Sequence, residues 1–148
     1  MKILVINGPS INFLGIREPE VYGDADYDQL RQLIMKKAAK EDVLVELYQS
    51  NHEGNLIDKL QECFMEKPDG IVINPGALSH YSYALHDALI ALNGIIKVEV
   101  HISDIMNRKE EWRKISVTAP ACDTMIYGKG VNGYLEAIDY IVSKAQTK

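Results

Sequence analysis

Residues 95–103 read IIKVEVHIS, and the interpretation of the whole chain starts from this stretch. Its first residues are apolar and β-branched, as in a buried strand, and from Val98 onward apolar and polar side chains alternate. Side chains two apart on a strand share a face, so Glu99, His101 and Ser103 are expected to point the same way. Burying three such groups without partners is costly, which favours a chemical role for this face.

Two interpretations of this face remain open from the pattern alone. In the first, Glu99 hydrogen-bonds the ring of His101 and fixes its tautomer, as in a histidine that works as a general acid. In the second, the stretch is an edge strand with one solvated face, because half-exposed strands show the same alternation. The burial of Glu99 distinguishes the two.

Four other short apolar stretches predict further strands, and helical patterns separate them. The predicted strands cover 2–6, 43–48, 70–73 and 124–127; the predicted helices run from Asp26 to about Lys40, from Leu56 up to Pro68, from Ser79 to about Leu92 and from Tyr134 to about Lys144. Strands that alternate with helices predict a parallel sheet covered on both faces. Five strands in 148 residues favour an α/β, flavodoxin-like doubly wound sheet of order 2-1-3-4-5.

Ligands of such sheets bind beyond the carboxyl ends of the strands. The first predicted strand ends at Asn7, the third at Asn74 and the fourth at Ser103, so their polar side chains are expected to meet in one crevice. Residues 8–24 show no clear period, and so long a loop in a compact domain is typical of a lid. The prediction is a single catalytic domain over 1–148, with a lid loop at about 8–24.

Composition and charge exclude several classes of partner. The chain is 47% hydrophobic and 25% charged, which is typical of globular proteins. Its 16 basic and 21 acidic residues give a net charge of −5, which argues against nucleic acid and anionic membranes. The amino-terminal apolar run is too short for a signal peptide, and no run is long enough to span a membrane. We therefore expect a cytoplasmic protein whose partner is a small-molecule substrate.

Neither the cysteines nor the glycine-rich segment predicts a cofactor. Cys63 and Cys122 have no metal-ligand spacing, and no tight ligand motif joins the acidic and histidine residues, so no metal is expected. Residues 128–133 read GKGVNG and match G-x-G-x-x-G, but a dinucleotide site also needs a following strand with an acidic residue, which this sequence lacks. These glycines instead predict a tight turn and close packing of a helix.

Several segments, in this order, strongly resemble the type II 3-dehydroquinate dehydratases, and the resemblance covers nearly the whole chain. They are NGPSINFLGIREPEVYG at 7–23, QSNHEG at 49–54, INPGALSHYSYALHDAL at 73–89, VEVHIS at 98–103 and GKGVNGY at 128–134. The resemblance implies a lyase of the shikimate or quinate pathway that dehydrates 3-dehydroquinate to 3-dehydroshikimate through an enolate. It also implies a flavodoxin-like fold, no metal or cofactor, and a homododecamer built of trimers.

The same resemblance, carried over position by position, implies the roles of the site residues. Tyr22 would be the base that removes a C2 proton, aided by Arg17, and an adjacent guanidinium does stabilise a phenolate. His101, supported by Glu99, would protonate the leaving C1 hydroxyl. Asn74 and His80 would bind hydroxyl groups, and Ser103 with the backbone amides of Ile102 and Ser103 would bind the carboxylate. Arg113 matches the family's substrate-binding arginine, with nearby Arg108 as the alternative for that role. Asp87 would reach a neighbouring subunit's site.

Three positions depart from the family pattern. Ser10 replaces an asparagine that helps to bind the water thought to stabilise the enolate, His86 replaces an arginine, and Asp104 replaces an asparagine beside the carboxylate-binding serine. The added charge of Asp104 would weaken anion binding unless an arginine neutralises it. Two alternatives therefore stay open: a divergent paralogue acting on another hydroxylated alicyclic carboxylate, and a catalytically silent small-ligand binding protein on the same fold.

Overall fold

The protein is built on one five-stranded parallel sheet in the order β2-β1-β3-β4-β5. The computed structural model describes residues 1–147. The strands are β1 (Lys2–Asn7), β2 (Leu44–Gln49), β3 (Gly70–Asn74), β4 (Ile96–His101) and β5 (Thr124–Tyr127). The predicted fold class and strand order are confirmed.

Helices cover both faces of this sheet. They are α1 (Pro19–Tyr22), α2 (Tyr27–Glu41), α3 (Glu53–Glu66), α4 (Tyr83–Ile90) and α5 (Asn132–Gln146). The buried side chains of α2 and α5 share one core with Ile3, Val5 and Val98, whereas those of α3 and α4 share a second core with Leu4 and Ile73. Alternate residues of the strands therefore serve opposite faces, as the pleat requires.

The central position of β4 settles the meaning of its alternating sequence. The strand pairs with β3 on one side and β5 on the other, and each of its residues is buried. The interpretation of this stretch as a solvated edge strand is therefore wrong. Val98 and Val100 pack into the core shared with α5, while Glu99 is fully buried without being apolar. A buried carboxylate needs hydrogen-bond donors around it.

The sequence predicted the start of α2 correctly and that of α4 incorrectly. Asp26 caps α2 by accepting a hydrogen bond from the Gln29 amide at 2.8 Å, as expected of an N-cap. The helix predicted from Ser79 instead begins at Tyr83, after a 3₁₀ turn over Gly76–His80. Its cap is Ser82, whose hydroxyl accepts from the Leu85 amide and donates to Glu53 Oε2 at 2.5 Å.

The loop at 8–24 contains two short ordered elements that its sequence did not predict. Ile11–Phe13 forms a 3₁₀ turn, and Pro19–Tyr22 forms the single turn of α1, with Pro19 at its first position. Proline is favoured there because its fixed φ fits the helix and its missing N–H has no partner to lose. One turn of helix is too short to leave a period in the sequence, which is why it was missed.

The glycine-rich segment forms the tight turn that was predicted. Gly128 and Gly130 have φ of 75° and 60°, and their amides donate to the carbonyls of Ser103 and Ile102. A Cβ on Gly133, in the first turn of α5, would lie 3.2 Å from a methyl group of Val100. The turn therefore holds the residues that follow β4, and Gly133 allows α5 to pack closely on that strand.

The length and hydropathy of the helices bear on membrane association. Within residues 1–147, none of them is both long enough and apolar enough to cross a membrane.

Candidate active site

A cavity lies beyond the carboxyl ends of β1, β3 and β4, where the sequence predicted a crevice. Of the predicted site residues, all but Glu99 and Asp87 line it. The lining comprises Ser10, Ile11, Leu14, Arg17, Tyr22, Asn74, Gly76, Ala77, His80, His101, Ile102, Ser103, Ile105, Arg108 and Arg113. Residues from the loop at 8–24 and from the segment after β4 thus meet residues at the ends of the central strands.

Glu99 and His101 form a buried pair at one side of this cavity. His101 Nε2 lies 2.7 Å from Glu99 Oε2, so the predicted hydrogen bond is present. Because that carboxylate oxygen accepts, Nε2 carries a proton, and Nδ1 is the ring nitrogen left for a ligand. Glu99 is fully buried and also accepts hydrogen bonds from the hydroxyls of Ser116, at 2.5 Å, and Thr118.

Tyr22 lines the same cavity at the end of α1, and two guanidinium groups lie beside it. Arg108 Nη1 donates to the Tyr22 hydroxyl at 3.1 Å and lies 3.4 Å from Ser103 Oγ. The guanidinium of Arg17 lies 4.8 Å from the centre of the Tyr22 ring. A positive charge that donates to the hydroxyl oxygen stabilises its deprotonated form, so this arrangement suits a tyrosine that acts as a base.

A buried chain of hydrogen bonds holds the amide of Asn74 at the floor of the cavity. Asn74 Nδ2 donates to the Tyr134 hydroxyl at 2.9 Å, which in turn donates to Asn7 Oδ1 at 2.7 Å. Asn74 Oδ1 accepts from the Gly76 amide at 3.1 Å. Burial raises the pKa of Tyr134 above its usual value, so its hydroxyl keeps its proton and can serve both asparagines.

His80 is held with one ring nitrogen available to a ligand. Its Nδ1 lies 2.7 Å from the carbonyl oxygen of Ile115, which can only accept, so Nδ1 carries the proton. Burial lowers the pKa of His80 below its usual value, against a smaller opposing effect of that hydrogen bond. The ring is therefore neutral at physiological pH, and Nε2 can accept a hydrogen bond from a hydroxyl group.

The three arginines make the cavity cationic although the chain is acidic overall. Arg108 lies 3.6 Å from Glu18, and Arg113 Nε lies 3.4 Å from Glu110 without the geometry of a hydrogen bond. Both glutamates lie outside the cavity, and within residues 1–147 no carboxylate is found in its lining. Arg108 and Arg113 both line it, and Arg108 is the one that contacts Tyr22. The site suits a small anion.

Ser10 sits where β1 enters the loop, in an unusual backbone conformation. Its φ is 69°, in the left-handed region that asparagine adopts more readily than serine. Its amide donates to Asn51 Oδ1 at 3.0 Å, and Gln49 Nε2 donates to the same oxygen at 3.1 Å. This residue therefore lines the cavity with a short side chain on a strained backbone.

Three residues noted in the sequence lie outside the cavity. Asp87 is exposed on α4, beside an apolar groove formed with α3. His86 Nδ1 donates to the carbonyl of Val117 at 2.8 Å. Asp104 accepts from the Met106 amide and from Asn107 Nδ2, which caps a 3₁₀ turn. Within residues 1–147, Arg108 pairs with Glu18 and Arg113 with Glu110, and neither is paired with Asp104. The effect of the Asp104 charge on anion binding therefore stays a prediction.

Sequence reasoning missed several residues that support the site. It considered Arg108 only as a substrate-binding arginine, although Arg108 contacts Tyr22, 86 positions away in the chain. It also missed Ser116 and Thr118, which both donate to Glu99. Sequence separation hid both sets of contacts. Among residues 1–147, no cluster of three or more histidine, cysteine or acidic side chains could hold a metal ion.

Comparison with known proteins places this geometry in a family. Residues 1–142 match the family described as Dehydroquinase class II. The chain is 53% identical over 148 residues to a 3-dehydroquinate dehydratase of Lachnospira eligens, covering all of both chains. It is 54% identical over 143 residues to a 3-dehydroquinate dehydratase of Lachnoclostridium phytofermentans, covering 97% of each. The crystal structure of the type II dehydroquinase from Butyrivibrio crossotus superimposes with a TM-score of 0.94 at 54% identity, covering 96% of this chain and 97% of that one. This chain belongs to the class II dehydroquinase family.

Proposed function

We propose that this protein is a lyase that dehydrates 3-dehydroquinate to 3-dehydroshikimate in the shikimate pathway. One observation carries the proposal: a cationic cavity joins a tyrosine bonded to a guanidinium with a histidine bonded to a buried carboxylate. These are the base and the acid that the elimination of water from a β-hydroxy ketone needs. Relatives about half identical along the whole chain bear the name of that activity.

In the first step Tyr22 removes a proton from C2 of the substrate. The phenolate accepts that proton, and the electron pair of the C–H bond moves to the ketone to form an enolate. Arg108 stabilises the phenolate by donating to its oxygen, and Arg17 adds a second positive charge beside the ring. Ser10 lies at the position from which a family asparagine holds a water near the enolate oxygen, and it takes that role here with a shorter donor.

In the second step His101 donates a proton to the C1 hydroxyl. The C1–O bond breaks, water leaves, and the electron pair of the enolate forms the C1–C2 double bond. Glu99 stabilises the imidazolium before transfer and keeps the ring oriented. Asn74 aligns the leaving hydroxyl, and the Asn74 side chain is itself fixed by Tyr134. Transfer of the C2 proton from Tyr22 to solvent, and uptake of one by His101, resets the site.

The remaining residues bind the substrate. Ser103, with the backbone amides of Ile102 and Ser103, holds the carboxylate, and Arg113 supplies positive charge close by. His80 accepts a hydrogen bond from a ring hydroxyl through Nε2. This division gives the carboxylate, the C1 hydroxyl, the ketone and one further ring hydroxyl of 3-dehydroquinate a complementary partner in the cavity.

The experiment is to follow the conjugated enone product by its absorbance after adding 3-dehydroquinate, with and without a chelator. The proposal predicts turnover that the chelator does not change, because every role above belongs to a side chain or a backbone amide. Tyr22→Phe is the matched inactive control. Absence of turnover in the wild-type protein would contradict the proposal.

Ser10 is the observation that favours a second candidate, a paralogue acting on another hydroxylated alicyclic carboxylate. If 3-dehydroquinate is not turned over but related hydroxy acids are, this candidate replaces the first. A thermal shift with 3-dehydroquinate but no turnover of any of these compounds would instead support a silent binding protein.

We further propose a cytoplasmic homododecamer built of trimers, in which Asp87 reaches the site of a neighbouring subunit. Support comes from Asp87 beside the groove between α3 and α4, whose lining includes Ile57, Ala88 and the exposed ring of Phe64. Exposed apolar patches of this kind mark contacts between proteins. Light scattering tests the assembly, and a stable active monomer would contradict it.

A further inference from the structure

The residues 115–118, here called the strap, contact His80 and Glu99. The Ile115 carbonyl accepts from His80 Nδ1 at 2.7 Å. The Val117 amide donates to the Ser79 carbonyl at 2.6 Å. These contacts fix the strap relative to the 3₁₀ turn that carries His80.

The two hydroxyl side chains of the strap converge on Glu99. Ser116 Oγ donates to Glu99 Oε2 at 2.5 Å, and Thr118 Oγ1 donates to Oε1. The Ala119 amide donates to Ser116 Oγ at 3.0 Å, so one lone pair of that oxygen is used and its own proton is free to point at Glu99. Each oxygen of the carboxylate therefore has a hydroxyl donor.

These donors matter because Glu99 is fully buried and has no lysine or arginine partner within residues 1–147. A buried carboxylate takes up a proton unless hydrogen bonds stabilise its charge. Donation by two hydroxyls favours the ionised form, which can only accept. His101 then keeps its Nε2 proton directed at Glu99 and presents Nδ1 to the cavity.

We propose that Ser116 and Thr118 are positioning residues for the acid step, which keep Glu99 ionised and fixed so that His101 delivers its proton to the substrate. The inference rests on the proposed function. Neither hydroxyl lines the cavity, so both act through Glu99 and His101.

Other titratable groups lie near Glu99 and His101, and their effects on the pH profile must be distinguished from those of this pair. Burial raises the pKa of Cys122 to about 12, and the negative charge of Glu99 adds to that effect. Burial lowers the pKa of His80, as described above. Cys122 and His80 therefore stay neutral around neutral pH and do not account for a shift of the profile there. Tyr22 also exchanges a proton with the substrate, so an NMR titration of the His101 ring is needed to assign the shift to the Glu99–His101 pair.

The test compares Thr118→Val and Ser116→Ala with wild type in steady-state assays on 3-dehydroquinate across pH. We expect Thr118→Val to lower kcat about tenfold, the scale of a lost hydrogen bond to a charged group, with KM changed less than twofold. The alkaline limb of the plot of kcat against pH should move to higher pH. With one hydroxyl donor fewer, the Glu99 carboxylate is less neutralised, so Glu99 and His101 together hold their proton more tightly. Thr118→Ser, which keeps the hydroxyl, should restore most of kcat.

Thr147→Val is the matched control, because Thr147 is exposed near the carboxyl end of the chain and its hydroxyl donates to the Lys144 carbonyl. Each variant is checked by its melting temperature. Wild-type kcat and pH profile in a folded Thr118→Val and Ser116→Ala double variant would overturn the inference, as would a rise in KM alone.

An NMR titration of the His101 ring, assigned by comparison with His101→Ala, separates this inference from the proposed function. The midpoint for His101 should rise in Thr118→Val even if wild type does not turn over 3-dehydroquinate. An unchanged midpoint would overturn the role of the strap, whether or not the protein is a dehydratase.

Discussion

The acid side and the base side of the cavity are built in different ways. The acid side, Glu99 with His101, belongs to a central strand, is buried, and is held by hydrogen bonds of 2.7 Å or less. The base side, Tyr22 with Arg17 and Arg108, comes from loops and one turn of helix, is partly exposed, and relies on longer contacts.

This difference indicates how each side is kept ready for its step. Burial in a low dielectric strengthens the hydrogen bonds of the acid side and ties its proton affinity to its neighbours. The base side depends on the charge of two long side chains near solvent, where salt screens it more. Substitutions on the acid side should therefore change the pH dependence, and those on the base side the sensitivity to ionic strength.

The largest effects are expected from the two residues that exchange protons with the substrate. Tyr22→Phe and His101→Ala should each lower kcat by about 10²-fold or more, the scale of a positioned acid or base. Binding of 3-dehydroquinate, measured by calorimetry, should be retained in Tyr22→Phe because only the hydroxyl is lost. Activity that survives Tyr22→Phe would show that Tyr22 is not the base, and activity that survives His101→Ala would show that His101 is not the acid.

Arg108→Ala should have the next largest effect, about tenfold or more on kcat, because it removes the charged donor to the Tyr22 hydroxyl. The loss should be accompanied by a weaker dependence of kcat on salt. Arg31→Ala is the matched control, since Arg31 is exposed on α2 and pairs with Asp28. A variant with wild-type kcat would show that Arg108 merely packs against Tyr22.

Ser10→Asn should have a smaller effect, in the favourable direction. A fixed donor near an enolate oxygen is worth about 3 kcal/mol, and the longer amide reaches further than the hydroxyl. The φ of 69° also suits asparagine better, so the melting temperature should not fall. We expect kcat to rise severalfold with little change in KM. An unchanged or lower kcat in a folded variant would favour the paralogue with another substrate.

The smallest expected effect is on stability, at His80. Its pKa is lowered in the folded state, so the unfolded chain binds more protons at mildly acidic pH. The stabilising contribution of the neutral ring is complete above its usual pKa of 6.5 and is lost as pH falls below that value. His80→Gln should flatten the fall in melting temperature between about pH 7.5 and 5.5. His52→Gln, at an exposed histidine, is the control. An equal flattening in that variant would show that the pH dependence does not come from His80.

The sequence predicted the fold well because its signals are local. Short β-branched stretches, the cap at Asp26 and the glycines at 128–133 each act within a few residues, and all were found in the structure. The start of α4 was mistaken because two serines compete for it, and only Ser82 finds both an amide and Glu53 as partners.

The site was predicted in part for the same reason. The alternation of Glu99 and His101 is local, and the ends of parallel strands meet at one edge, so the polar crevice could be expected. The contact of Arg108 with Tyr22 and the two hydroxyl groups on Glu99 join distant parts of the chain. No spacing rule reports such contacts, because they depend on how loops cross the sheet.

Exchange of the C2 protons of 3-dehydroquinate with D₂O, followed by NMR, tests the division into a base side and an acid side most directly. In His101→Ala the base side is intact, so we predict incorporation of deuterium at C2 above the rate without enzyme, with little enone formed. In Tyr22→Phe neither exchange nor product should exceed that background. Exchange that persists in Tyr22→Phe, or is absent from a folded His101→Ala that binds substrate, would contradict the account.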